Sequence, residues 1–411
     1  MEILEQSDGA TAAARSSASE PSRKLRMLIV LPQPFFEERG TSIAVAHVLR
    51  AVSELGYLTD VLSFPQGRKL EITGVNYVEL ADPFRFRSVP IGFSLKKLLL
   101  DVLLFAKTRR QLALRSYSCV YAVEEAAYMA AFLRRKRDLF VVYDMASSLP
   151  EQLVQYRRFR FRRFLDLLSR IERRVLRGVD LVVCSSGLEG HVGSVASDTP
   201  VLPWRFPATL PRPTDDDLER LRSALALPVS ARVVLYAGSF ARYQGLEEAI
   251  AAAQHVLERV PDAVFLFVGA SDETELEELE RSIPDDLADR VLLKLRVPRA
   301  QIPAFLGIAD VLLSPRSYGG NVPLKVFEYL NSGRPIVATD IPAHRQLFQG
   351  GTALLASPTS TGFAEAIVRV LTDEALATRL KIEGAKYAED HLGWASFVEL
   401  VKEIIVRVPP V

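Results

Sequence analysis

Cysteine is nearly absent from this 411-residue sequence: there are two, Cys119 and Cys184, each inside an apolar run (YSCVYAV and DLVVCSS). That count excludes a disulfide framework, and two buried free thiols are expected. Histidine is scarce too, at five residues, and no Cys/His group has zinc-ligand spacing. Neither sign of charge is in excess: 51 Lys+Arg against 50 Asp+Glu leave +1, which speaks against a chain built for nucleic acid. Long apolar runs are missing as well. The longest, LLLDVLLFA around Leu98–Ala106, contains Asp101 and is too short to span a bilayer. The first 24 residues are small and polar and lack the apolar core of a secretion signal, so a disordered tail and a cytoplasmic protein are expected.

What is present is alternation. The apolar run Met27–Leu31 reads as a buried strand, a Pro- and Gly-containing loop follows, then a helical pattern over Ile43–Leu55 closed by Gly56, then a strand at Thr59–Phe64. Further strands are predicted at Cys119–Val123, Phe140–Asp144 and Leu181–Cys184. Near-continuous apolar strands separated by helices describe a parallel, doubly wound sheet. A proline-rich stretch from Ser194 to Pro228 reads as a linker ending in a short helix, and the pattern then restarts at Arg232–Ala237. Strands follow at Ala263–Val268, Val291–Leu295, Val311–Ser314 and Pro335–Thr339. The expected architecture is α/β with two doubly wound Rossmann-like domains facing across a cleft. The tail is 1–24, the acceptor-binding domain 25–205 and the donor-binding domain 206–393. A last amphipathic helix in 394–411 crosses back to the first domain. Ligands in such sheets bind beyond the carboxyl ends of the strands, which directs attention to the loops there.

The most informative loop is SPRSYGGNVPLKVFEYLNSGRPIVATDIP, residues 314–342. Gly319 and Gly320 allow close backbone approach. Pro323 suits a first helical position, so a helix is expected to begin near Leu324 with its amides aimed back at the loop. Lys325 in the first turn opposes the helix dipole and needs a reason, which a phosphate would supply. Glu328, one turn on, can accept hydrogen bonds from ribose hydroxyls.

This segment resembles the donor-binding signature of glycosyltransferase family 4, enzymes of the GT-B fold. The family's Glu-x7-Glu pattern has Glu328 as its second glutamate, and Gly320 stands where the first would be. The form N-x-P-L-K-x-x-E-Y-L resembles a variant found in envelope-polysaccharide enzymes. The resemblance implies diphosphate contacts from YAGSFARYQG, residues 236–245. Ser239 and Gln244 there replace the usual Arg and Lys, so Gly238, Arg242, Arg316, Asn321 and Leu324 join the expected donor site. Gly40 and Thr41 resemble the family's glycine loop facing the donor phosphates; His47 in the following helix reads as an ordinary packed or surface histidine. In VVYDMASSLPEQL, residues 141–153, Ala146 stands where similar sequences often carry a histidine beside the sugar. Asp144, Ser147, Ser148 and Glu151 are the polar candidates there, and Glu124 or Glu125 would hold sugar or acceptor hydroxyls.

The resemblance implies retaining transfer of a hexose from a nucleoside diphosphate-sugar to a lipid-linked or glycan acceptor, with no cofactor and no metal. Asp144, Lys325 and Glu328 would carry the catalytic roles. A catalytically silent scaffold in a polysaccharide assembly complex is the alternative these departures leave open. Residues 156–177, YRRFRFRRFLDLLSRIERRVLR, place apolar residues at helical spacing among arginines, with Asp166 and Glu172 opposing them. With FRFRS (84–88) and SLKKLLLDVLLFAK (94–107), this suggests a domain that rests reversibly on an anionic membrane surface, at the inner face of the cell membrane.

Overall fold

The computed structural model describes residues 25–36, 40–86, 89, 94–134, 139–154, 161–185, 187–269, 273–295, 297–317 and 322–409. The tail expected over 1–24, the last two residues of the segment 394–411 and residues 156–160 of the basic helix lie outside them. Among the described residues the first sheet has seven parallel strands: β1 (Arg26–Pro34), β2 (Leu58–Phe64), β3 (Val75–Val78), β4 (Cys119–Val123), β5 (Phe140–Met145), β6 (Leu181–Ser185) and β7 (Val201–Trp204), in the order 3-2-1-4-5-6-7. The second has six: β8 (Arg232–Ala237), β9 (Ala263–Gly269), β10 (Val291–Leu295), β11 (Val311–Ser314), β12 (Ile336–Thr339) and β13 (Leu354–Ala356), ordered 10-9-8-11-12-13. The first domain carries helices α1 (Gly40–Glu54), α2 (Leu95–Leu114), α3 (Ala126–Arg134), α4 (Leu149–Val154), α5 (Arg162–Leu176) and α6 (Glu189–Val195). The second carries α7 (Asp215–Ala224), α8 (Leu246–Leu257), α9 (Glu273–Arg281), α10 (Ile302–Ile308), α11 (Lys325–Asn331), α12 (Pro342–Leu347), α13 (Ser360–Thr372) and α14 (Glu374–His391), and α15 (Trp394–Val406) returns to the first.

Local chemistry accounts for these boundaries. Ser94 caps α2 by accepting from the Lys97 amide at 3.1 Å, and Thr214 and Asp217 form a reciprocal capping box on α7. Gly56, at φ +82°, turns the chain out of α1 into β2, a conformation that disfavours any residue with a Cβ. Strand order reverses direction between β1 and β4 and again between β8 and β11. These are the switch points at which open α/β sheets bind ligands.

The two domains share one apolar core. It runs from α1 (Val45, Leu49) through Tyr121 and Val183 to Trp204, Phe206 and Phe397, and on to Phe327 and Val233 of the second domain. Trp204 stacks on Phe397 at 5.4 Å between ring centroids, and Phe206 lies 5.7 Å from the same ring. Helix α15 lies on α1, where Trp394 donates to Glu54 at 2.7 Å. His47 packs edge-on to Trp394 and Phe397, and burial pushes its pKa down to about 4. Of the two ordinary readings for this histidine, packed or at the surface, the structure has the packed one. Both cysteines are buried and free.

Three strands escaped the sequence reading, β3, β7 and β13. The interval read as a linker contains β7, and α11 starts at Lys325, so Pro323 precedes the helix instead of opening it.

Candidate functional site

The loops at the carboxyl ends of the two sheets meet. Ser185, closing β6, accepts a hydrogen bond from the Val322 amide at 3.2 Å, and Gly40 at the start of α1 faces Leu324. Gln346 of α12 donates to Glu189 of α6. The junction therefore brings the ends of β1 and β6 against the segments that follow β11 and β12.

On the second-domain side the centre is Lys325. Its Nζ donates to Gln244 Oε1 at 2.9 Å and lies 3.8 Å from the Tyr236 ring centroid. Arg316, closing the turn after β11, is buried, and its guanidinium is 5.2 Å from the Tyr243 ring. Burial, and secondarily Arg316, hold the Lys325 ammonium well below its ordinary pKa. Among the described residues, no carboxylate comes within ion-pair distance of Lys325. A buried ammonium with no carboxylate partner among the described residues is one that an anion would stabilise. Gly238 shapes it: a Cβ there would fall 3.1 Å from Lys325 Nζ and 2.9 Å from Tyr236 Oη. Gly245, at φ +69°, lets α8 begin against the Pro315 carbonyl, where a Cβ would clash at 2.1 Å. Ser239 contributes its carbonyl, accepting from Tyr236 Oη at 2.6 Å.

The helix amides do less than the sequence suggests. Val326 N donates to Pro323 O and Phe327 N to Leu324 O, so those two amides of the first turn are consumed locally. Side-chain charge, not the helix terminus, dominates this loop.

Glu328 takes different partners from Lys325. Its two oxygens accept the consecutive amides of Thr209 and Leu210, each at 3.2 Å, and Arg299 Nη2 lies 3.4 Å from Oε1. Burial raises its pKa, while the two amide bonds and Arg299 oppose that shift. The Thr209 side chain bonds the carboxylate as well, so its about four lone-pair positions are all engaged, and a hydroxyl of a ligand would take the place of one of these donors. Arg242 is exposed, 4.0 Å from Glu247. Gly319, Gly320 and Asn321 lie outside the described residues, as does the Glu151 side chain.

In the first domain, Glu124 follows β4 at φ +50°, a left-handed conformation that costs a non-glycine residue about 1–2 kcal/mol. Ser147 Oγ donates to its carboxylate at 3.3 Å. Burial pushes the Glu124 carboxyl well up, with Glu125 and Asp144 adding to the effect. Glu125 pairs with Lys97 at 3.1 Å. Asp144 is buried with both oxygens engaged, one by Tyr121 Oη at 2.8 Å and one by Trp204 Nε1 at 3.1 Å. Burial raises its pKa to about 6 against those two bonds. Its role is to fix the end of β5 against the interdomain aromatic cluster. Thr41 stands beside Gly40 at the start of α1.

Two residues were not foreseen. Arg299 pairs with Glu328, and only its position after a strand end hinted at it. Glu172 was read as an exposed acid on a basic helix; it is 1% exposed and bonded to Ser148 and Leu149 of the loop after β5.

Residues 217–387 match the family described as "Glycosyl transferases group 1". The chain is 30% identical over 152 residues to a phosphatidyl-myo-inositol mannosyltransferase of Mycolicibacterium smegmatis, covering 36% of this chain and 38% of that one. The match spans 38%, 41% and 54% of the lengths of three such curated relatives. Among solved structures it is similar to sucrose-phosphate synthase from Thermosynechococcus elongatus, with a TM-score of 0.77 and 20% identity over 94% of this chain and 99% of that one. It is also similar to Anabaena HepE in complex with UDP and glucose, with a TM-score of 0.72 and 17% identity over 93% and 99%.

Proposed function

We propose that this chain, a GT-B protein of the glycosyltransferase family 4-like type, transfers a hexose from a nucleoside diphosphate-sugar with retention of configuration. The observation that carries the reading is Lys325, a buried cation with no carboxylate partner among the described residues. Its ammonium beside Gly238, which has no Cβ to crowd it, and the Arg316 guanidinium on the same β11–α11 connection would together receive a diphosphate. They would stabilise the charge that develops on the leaving group as the glycosidic bond breaks, so the chemistry needs no divalent metal. Glu328 would take a ribose hydroxyl in exchange for one of its present donors, the long 3.4 Å contact with Arg299 being the weakest of those measured. Catalysis then rests on electrostatics and on holding donor and acceptor in register, with Asp144 fixing the loop where the sugar would lie.

The acceptor side belongs to the first domain. Glu124, Glu125 and Ser147 line the ends of β4 and β5 and would receive hydroxyl groups of a glycan or lipid-linked acceptor. Among the described residues, no helix is long and apolar enough to cross a membrane. Helices α2, α3 and α5 pack in series and expose Leu95, Leu98, Val102, Phe132, Leu167 and Ile171 beside Lys96, Arg109, Arg170 and Arg174. Exposed apolar and basic side chains on neighbouring helices support reversible docking on anionic lipid at the inner face of the membrane. Thermal shift with UDP, GDP and ADP tests the reading. At least one diphosphate should raise the melting temperature, and no response to any of them would remove the donor-site assignment.

A further inference from the structure

We infer that Glu172 is a positioning residue for the cleft loop that follows β5, a role that rests on the transferase reading above. It sits on α5, whose exposed surface is strongly basic, yet it points inward and is 1% exposed. Ser148 Oγ lies 3.1 Å from each of its oxygens, the Leu149 amide donates to one at 2.9 Å, and His191 Nε2 is 2.8 Å from the other. Taking a carboxylate out of water is costly, and an apolar side chain in the same volume would serve packing alone at least as well. What the carboxylate adds is direction: it holds two successive loop residues and one helix at once.

The consequence falls on Ser147. With Ser148 turned toward Glu172, Ser147 is turned the other way and donates to Glu124 at the end of β4. The loop is thus fixed between two carboxylates, and the backbone from Ala146 to Leu149 has one shape at the point where sugar and acceptor would meet. His191 extends the arrangement across the cleft. It lies on α6 two residues from Glu189, which accepts from Gln346 of α12. His344, on that same helix, bonds Ser314 at 3.2 Å and the Thr339 carbonyl at 2.8 Å, and Thr339 Oγ1 donates to the Arg316 carbonyl at 2.6 Å. Glu172 therefore stands where the acceptor-side loop is tied to the segment carrying the diphosphate cations. It touches no substrate and acts through the loop.

The test is a set of variants read for kcat, KM and nucleotide affinity. Glu172→Met keeps the volume and removes the acceptor. Ser148→Ala removes a single hydroxyl and serves if the first variant is poorly folded. Both should lose about 10- to 100-fold in kcat, the effect of displacing a reacting group by roughly an ångström, with nucleotide Kd within about twofold of wild type. His191→Leu should behave likewise, and His191→Gln, whose amide can still donate to Glu172, should recover most of that loss. Wild-type kcat in both folded variants of the Glu172–Ser148 pair would overturn the inference, as would nucleotide affinity falling in step with kcat. Wild-type protein that turns over no nucleotide-sugar would instead strike at the transferase reading and take this inference with it.

Discussion

Replacing Lys325 by methionine should move stability and binding in opposite directions. In the unliganded protein the ammonium is crowded against Gln244, Tyr236 and Gly238 and faces Arg316. Its hydrogen bond and its contact with the tyrosine ring return part of the desolvation cost, the latter about 0.5–2 kcal/mol. A desolvated cation beside another still carries a net penalty. Methionine fills the same volume without the charge, so the melting temperature should be unchanged or higher, by about 2–4 °C for each kcal/mol relieved. The folded-state pKa lies below the ordinary 10.5, so the folded chain binds fewer protons than the unfolded one between those two values. The penalty is therefore full below the folded pKa, and the variant's advantage fades as pH rises toward 10.5. Nucleoside diphosphate affinity should fall by about 1.5–3 kcal/mol, the range for a charge-assisted bond, or about 10- to 150-fold in Kd. Calorimetry and thermal melts on one preparation measure both. A variant that melts lower and binds the diphosphate as tightly as wild type would refute the reasoning, because Lys325 would then be a structural cation.

Glu328→Ala should weaken nucleotide binding by a similar amount, about 1.5–3 kcal/mol, but lower the melting temperature as well, since the Thr209 and Leu210 amides and Arg299 lose their acceptor; unchanged affinity would argue against a ribose role. Asp144 has its pKa raised from 3.8 to about 6, so the folded state binds the extra proton between those values and wild-type stability falls as pH rises through that interval. Asp144→Asn should gain on wild type by up to about 3 kcal/mol between pH 4 and 7 in denaturant titrations, and a pH-independent difference would contradict the burial argument. Sedimentation with anionic vesicles should be salt-sensitive and fall roughly tenfold or more in an Arg170→Glu, Arg174→Glu double variant; equal partitioning onto neutral and anionic vesicles, or none onto either, would rule out electrostatic docking.

The parts of this fold that could be read from sequence are those whose burial is two-sided. Strands such as LVVCS and RVVLYA are apolar throughout because helices cover both faces of their sheets. The missed strands lack that signature: VNYV is half-exposed at a sheet edge, VLPW sits in a proline-rich stretch, and LLA is three residues long. Lys325 stood out in the sequence because a cation in a first helical turn opposes the dipole, and the structure buries it against Gln244 and Tyr236. Glu328's engagement was not, because its partners at 209 and 210 lie more than a hundred residues away. Glu172 was misread for a related reason. On a helix so rich in arginine an acid looks like surface neutralisation, and only the packing of α5 against the β5 loop turns it inward.

The central claim is a cation-lined donor site that works without a metal, and a hydrolysis screen over nucleoside diphosphate-sugars in the presence of EDTA tests it most directly. Wild-type protein should release nucleotide from at least one donor, and Lys325→Met should lose most of that turnover. Failure to bind or turn over any donor, or turnover abolished by EDTA and restored by magnesium or manganese, would contradict it.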